Sequence, residues 1–104
     1  QNDGIIVAVI DEGVDLDHED LNLVAGYDAT YDPEDPEQVD SHGGPNSWDG
    51  HGTACAGIVG AIQNQVGIAG VAPGVKIMPV RIAFKQEGSR HWTTSDDEIA
   101  DGIL

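Results

Sequence analysis

Residues 4–11 read Gly-Ile-Ile-Val-Ala-Val-Ile-Asp, a continuous and largely β-branched apolar run closed by acids and Gly13. A run without polar alternation predicts a strand covered on both faces of a parallel sheet. Asp11 then stands at the carboxyl end of that strand, the edge where ligands and catalytic groups gather in open α/β sheets. Residues 23–27 form a second, shorter strand candidate. Residues 28–50 hold only scattered apolar positions and read as one long loop, crowded by Asp28, Asp32, Glu34, Asp35, Glu37 and Asp40. Loops of that length are functional or disordered.

Beyond Gly50, Ala54, Ile58 and Ile62 recur every fourth position, as do Cys55 and Val59, and the two rows make one stripe of a helix with His51 in its first turn. Gly52, Gly57 and Gly60 each weaken a helix by up to about 1 kcal/mol against Ala. This helix is therefore expected to be buried, with neighbouring backbone pressed close to it. Gly67, Gly70, Pro73 and Gly74 mark a loop, and residues 76–83 read as another strand even though Pro79 within it has no N–H to donate. Ser95-Asp96-Asp97-Glu98 is a capping box that opens a helix through Ile99, Ala100, Ile103 and Leu104. No glycine, basic last turn or proline closes that helix, so Leu104 is expected to be a cut end inside a longer domain.

Composition narrows the field. With 104 residues, 39% apolar, the chain has the size and make-up of one small globular domain. Its longest apolar run is six residues, far below the ~20 of a membrane helix, and no basic, apolar-cored leader opens it. A net charge of −15 argues against nucleic acid, which is bound by Lys and Arg. Residues 1–50 hold 14 acids and neither Lys nor Arg, a block that must be solvated, bind cations or face a cationic ligand. The single cysteine, Cys55, excludes an internal disulfide.

Two polar residues stand out as chemistry. Asp11 ends a strand and His51 begins a helix, and a carboxylate that orients an imidazole base is the core of nucleophilic catalysis. By spacing alone, a turn or capping role for Asp11 and a structural role for His51 remain equally open. His51 and Cys55, one helical turn apart, also have the spacing of a zinc pair, but no third ligand lies at a motif spacing.

The segments around these residues carry more. Val9-Ile10-Asp11-Glu12-Gly13-Val14-Asp15-Leu16-Asp17-His18-Glu19-Asp20-Leu21 resembles the catalytic-aspartate segment of the subtilisin-like serine proteases. Gly50-His51-Gly52-Thr53-Ala54-Cys55-Ala56-Gly57-Ile58-Val59 resembles that family's histidine segment, and Gly67-Ile68-Ala69-Gly70-Val71-Ala72-Pro73 resembles the stretch that follows it. The three motifs fall in the family's order and span essentially the whole chain.

The resemblance implies a three-layer α/β fold with a mainly parallel sheet, of which these residues form the amino-terminal part. It implies a serine endopeptidase with Asp11 as orienting acid and His51 as general base. The nucleophile is expected outside these residues, since Ser41, Ser47, Ser89 and Ser95 all lack the family's Gly-Thr-Ser-Met-Ala setting. The chain alone is accordingly expected to be inactive. Glu12 and Cys55 are similar to the kexin and furin branch, where the acid after the catalytic Asp helps to select a basic substrate residue. A solvent-facing Glu12 is the competing reading.

By resemblance to the family's tight calcium site, Asp20 supplies a carboxylate, Asn64 a side-chain oxygen, and Ile62, Val66 and Ile68 backbone carbonyls. The implied partners are a protein or peptide substrate and an inhibitory pro-segment, and the implied location is secreted, periplasmic or at the cell surface. Two alternatives stay open at this level: a serine-less, calcium-binding relative, and a flavodoxin-like regulatory module with an acidic strand-end site.

Overall fold

The computed structural model describes residues 4–62 and 70–103. Its elements run β1 (Ile6–Asp11), β2 (Asn22–Leu23), β3 (Tyr27–Asp28), α1 (His51–Gly60), β4 (Lys76–Arg81), β5 (Phe84–Lys85), β6 (Trp92–Thr93) and α2 (Asp96–Ile103). Strand β4 is the centre of a parallel sheet, with β1 on one side and β2 and β3 in line on the other. The second strand expected from the sequence is thus two short ones. Their ladder is broken opposite Met78 and Pro79, because β2 pairs with Lys76 and Ile77 and β3 with Val80 and Arg81. Proline cannot donate to a ladder, and the interruption lets Pro79 sit in a central strand.

Helix α1 packs on one face of the sheet, burying Ala56 and drawing Cys55 and Val59 against Val9, Ile77 and Val75. Close approach is real at two of its three glycines: a Cβ on Gly52 would run into the Gly13 carbonyl oxygen, and one on Gly60 would lie 2.7 Å from Val75 Cγ1. At Gly57 no atom among the described residues lies within 4 Å of the Cβ position. The Ala54–Ile58 row of the stripe is not core either. Ile58 is 63% exposed and lines an open cavity of about 1050 Å³ shared with Asp15, Asp17, His18 and Asp20.

The other face of the sheet is thinly covered. Helix α2 approaches it at Gly102, where a Cβ would run into Ile82 Cγ2 and touch Val80. The two helices therefore flank the sheet as the α/β expectation requires. Half of the capping box forms, the Glu98 N–H donating to Ser95 Oγ at 3.1 Å. Strand β1, however, is buried on one face only: Val9 and Asp11 are covered on the α1 side, while Ile6 and Ile10 on the other side are 50% and 40% exposed. Burial therefore alternates along a strand whose sequence does not.

The long acidic loop is built by its own acids. The Asp32, Asp35 and Asp40 carboxylates each accept a backbone N–H two residues on, from Glu34, Glu37 and His42, the local pairing that suits Asp to turns. Asp28 anchors the loop to the sheet, accepting from Ser41 Oγ at 2.6 Å, from the Thr30 backbone N–H, and from the largely buried Arg81. Burial opposes its charge, but these donors outweigh burial and hold its carboxyl below the ordinary range.

Candidate active site

Asp11 and His51 reach each other because strand and helix are brought together where neither has room for a side chain. Asp11 ends β1 on the α1 face, and its backbone carbonyl is held by the Ile82 N–H at 2.9 Å. Gly13, at φ +106°, turns the chain away, and Gly52 lets the first turn of α1 lie directly on the Gly13 carbonyl. His51, the first residue of α1, then places Nδ1 2.8 Å from Asp11 Oδ2 and 3.0 Å from Oδ1. The carboxylate is buried and the imidazole side chain is 57% exposed. With Nδ1–H donated to Asp11, Nε2 carries the ring's lone pair, with Cys55 Sγ 4.0 Å away.

Glu12 is 0% exposed, which overturns the solvent-facing reading of its role. It serves the helix instead. Gly50, the N-cap, has no side chain to cap with, and Glu12 Oε1 accepts the His51 backbone N–H at 2.8 Å. A carboxylate there satisfies an otherwise orphaned donor and meets the positive end of the helix dipole. Its Oε2 makes no hydrogen bond among the described residues, with Lys85 Nζ 3.9 Å away.

One neighbour of the ring was not foreseen from sequence. The β5–β6 hairpin sets Trp92 edge-on to the His51 ring, with centroids 5.7 Å apart and planes at 82°, and this T-shaped contact limits how the imidazole can swing. The hairpin is tied down by Trp48 Nε1 and Asn46 Nδ2, both donating to the Lys85 carbonyl, and by Asp49, which accepts the Lys85 N–H. Its sequence signal is slight: a Gly88 turn between two pairs of residues. Cys55, one turn along α1, lies under the ring with Sγ 3.7 Å from Nδ1. Desolvation and the Asp11 charge push its thiol up, so at neutral pH it does not compete as an anion for the imidazolium.

The calcium residues are only partly in view. Asp20 and Ile62 adjoin, the Ile62 N–H donating to the Asp20 carbonyl at 2.7 Å. Asn64, Val66 and Ile68 lie outside the described residues. Asp20 borders the same cavity as Asp15 and Asp17. No helix among the described residues is long and apolar enough to cross a membrane.

Comparison with known proteins agrees with this geometry. The model of the Subtilase family matches residues 2–100, and the chain belongs to that family. Fervidolysin of Fervidobacterium pennivorans is 42% identical over 96% of the chain, and thermitase of Thermoactinomyces vulgaris is 38% identical over 99%. A calcium-dependent protease of Trichormus variabilis is 44% identical over 75% of the chain. The chain spans 14%, 33% and 11% of these three relatives. Membership removes the flavodoxin-like alternative.

Proposed function

We propose that this chain carries the acid and the base of a serine endopeptidase, with Asp11 orienting His51 and His51 acting as general base. The observation that carries the reading is the two-oxygen contact of a buried carboxylate with Nδ1 of a solvent-facing imidazole. Asp11 holds the tautomer whose Nε2 is free and stabilises the imidazolium that forms when Nε2 takes a serine proton. The same proton then passes to the leaving amine, completing acyl transfer. The serine and the oxyanion donors belong to a part of the domain beyond these residues, which make up the amino-terminal portion of the catalytic unit.

Calcium is the proposed structural cofactor, held by Asp20, Asn64 and the carbonyls of Ile62, Val66 and Ile68; when bound it supplies charge neutralisation and a cross-link between loops, not chemistry. The name of the Trichormus variabilis relative supports this assignment. Substrates are protein or peptide chains, an inhibitory pro-segment is a second partner, and a secreted, periplasmic or surface location fits a calcium-loaded enzyme.

Labelling with a fluorophosphonate tests the assignment, because that reagent needs a serine activated by a neighbouring base. The calcium-loaded full-length protein should take up one label, on none of Ser41, Ser47, Ser89 or Ser95, and His51→Ala should slow labelling by about a hundredfold or more. Absence of labelling, or labelling indifferent to His51, contradicts the proposal.

A further inference from the structure

The pair His51 and Cys55 lacks a third metal ligand along the sequence, and the fold supplies one. Asp11, His51 and Cys55 each bring one donor atom into a cluster whose members all lie within 4.8 Å of one another. The ring atom at its centre is Nδ1, 2.8 Å from Asp11 Oδ2 and 3.7 Å from Cys55 Sγ. A tetrahedral zinc ion, with nitrogen and oxygen at about 2.0–2.2 Å and sulfur at about 2.3 Å, sets such ligands roughly 3.3–3.6 Å apart. The nitrogen–oxygen and nitrogen–sulfur separations are therefore within about half an ångström of what the ion needs.

The donors also match in kind and setting. A carboxylate, an imidazole and a thiolate form the borderline-soft set that prefers zinc to calcium, and together they neutralise a divalent charge. His51 and Cys55 ride one helical turn apart on a helix start that Glu12 and Gly52 hold against β1. Glu12, fully buried with Oε1 on the His51 N–H, adds a fixed negative charge beside the cluster.

We propose that Asp11, His51 and Cys55 form an inhibitory site for zinc, built from the catalytic acid and base themselves. On binding, the thiol proton leaves to solvent and sulfur coordinates as thiolate. Nδ1 gives up its hydrogen bond to Asp11 and coordinates as well, so the proton of the neutral ring sits on Nε2. That is the atom which must accept the nucleophile's proton. A single ion thus diverts the orienting carboxylate and occupies the base in one step, and its removal restores both.

The proposal rests on the acid–base reading of Asp11 and His51, so one arm of its test does not depend on turnover. In the calcium-saturated full-length protein, Zn²⁺ should inhibit peptide hydrolysis, and a zinc-selective chelator should reverse it. Cys55→Ser should keep basal activity while raising the apparent inhibition constant about tenfold or more, with Cys55→Ala as the second variant should the first fold poorly. Independently of activity, Co²⁺ should give a thiolate-to-metal absorption band that is lost in Cys55→Ser and weakened in Asp11→Asn. Equal inhibition of the parent and both Cys55 variants overturns the proposal. So does a folded parent without the cobalt–thiolate band, or one with the band that zinc does not inhibit. A protein that hydrolyses nothing yet shows the band contradicts the protease reading and leaves the metal site standing.

Discussion

Glu12 Oε1 accepts the backbone N–H of His51 at 2.8 Å, and the residue after Asp11 thereby fixes the start of the helix that carries His51. The partners of Nδ1 and of the helix terminus come from consecutive residues of one strand end, so the relative placement of Asp11 and His51 is set over a very short length of chain.

Replacing Glu12 separates charge from hydrogen bonding. Glu12→Gln keeps an acceptor for the His51 N–H, whereas Glu12→Ala leaves that donor unmet beside a void. The alanine variant should lose about 1–3 kcal/mol of stability and reduce kcat with little change in KM. The glutamine variant should fall between it and the parent. Denaturant midpoints together with steady-state kinetics check this, and equal behaviour of the two variants would contradict the capping role.

Gly52 is the point where helix and strand touch. A methyl there would overlap the Gly13 carbonyl oxygen and press on Asp11 Cβ at 3.2 Å. Gly52→Ala should therefore push the first turn of α1 outward and lower kcat more than stability, although alanine is intrinsically the better helix former. Loss of the low-field His51 Nδ1–H proton resonance would report the same displacement.

This site was legible in the sequence to an uneven degree. The unbroken apolar run ending at Asp11 and the four-residue recurrence after Gly50 gave strand and helix, because those signals are local, while Asp11 and His51 were singled out by the motifs around them. The fate of Glu12 was hidden, since nothing adjacent in sequence shows that its carboxylate meets a helix start 39 residues away. Trp92 and Lys85 were missed for the same reason: a two-residue strand pair has almost no periodicity to read. The one-sided burial of β1 and the open Ala54–Ile58 row depend on which elements pack nearby, which a hydrophobic pattern does not record.

Asp28 ties the acidic loop to β4 through Ser41, Thr30 and Arg81. Its carboxyl titrates lower in the folded chain than its ordinary value of 3.8. The stability this supplies is present above that value and is lost as pH falls below it toward the folded-state value. Asp28→Asn should thus cost about 1–3 kcal/mol at neutral pH, and the gap between variant and parent should close at acid pH. Thermal melts across pH 2.5–7, a range set by the ~3.9 of a free Asp, decide it; a gap that persists unchanged into acid contradicts the assignment.

Calcium bound only by the folded state must stabilise it. For the full-length protein at about a hundredfold excess of calcium over Kd, chelation should remove roughly 2.7 kcal/mol, and Asp20→Ala should abolish most of that difference. Superimposable melts with and without chelator would contradict calcium binding through Asp20.

The central claim is that Asp11 and His51 act as one catalytic unit, and steady-state hydrolysis of a peptide substrate by the full-length protein tests it most directly. His51→Ala and Asp11→Asn should each lower kcat about 10⁴-fold or more with KM little changed, and the double variant should be scarcely worse than the poorer single one, as expected for residues that work together. A kcat for folded His51→Ala within about tenfold of the parent, a loss of less than ~1.4 kcal/mol of transition-state stabilisation, would contradict the account.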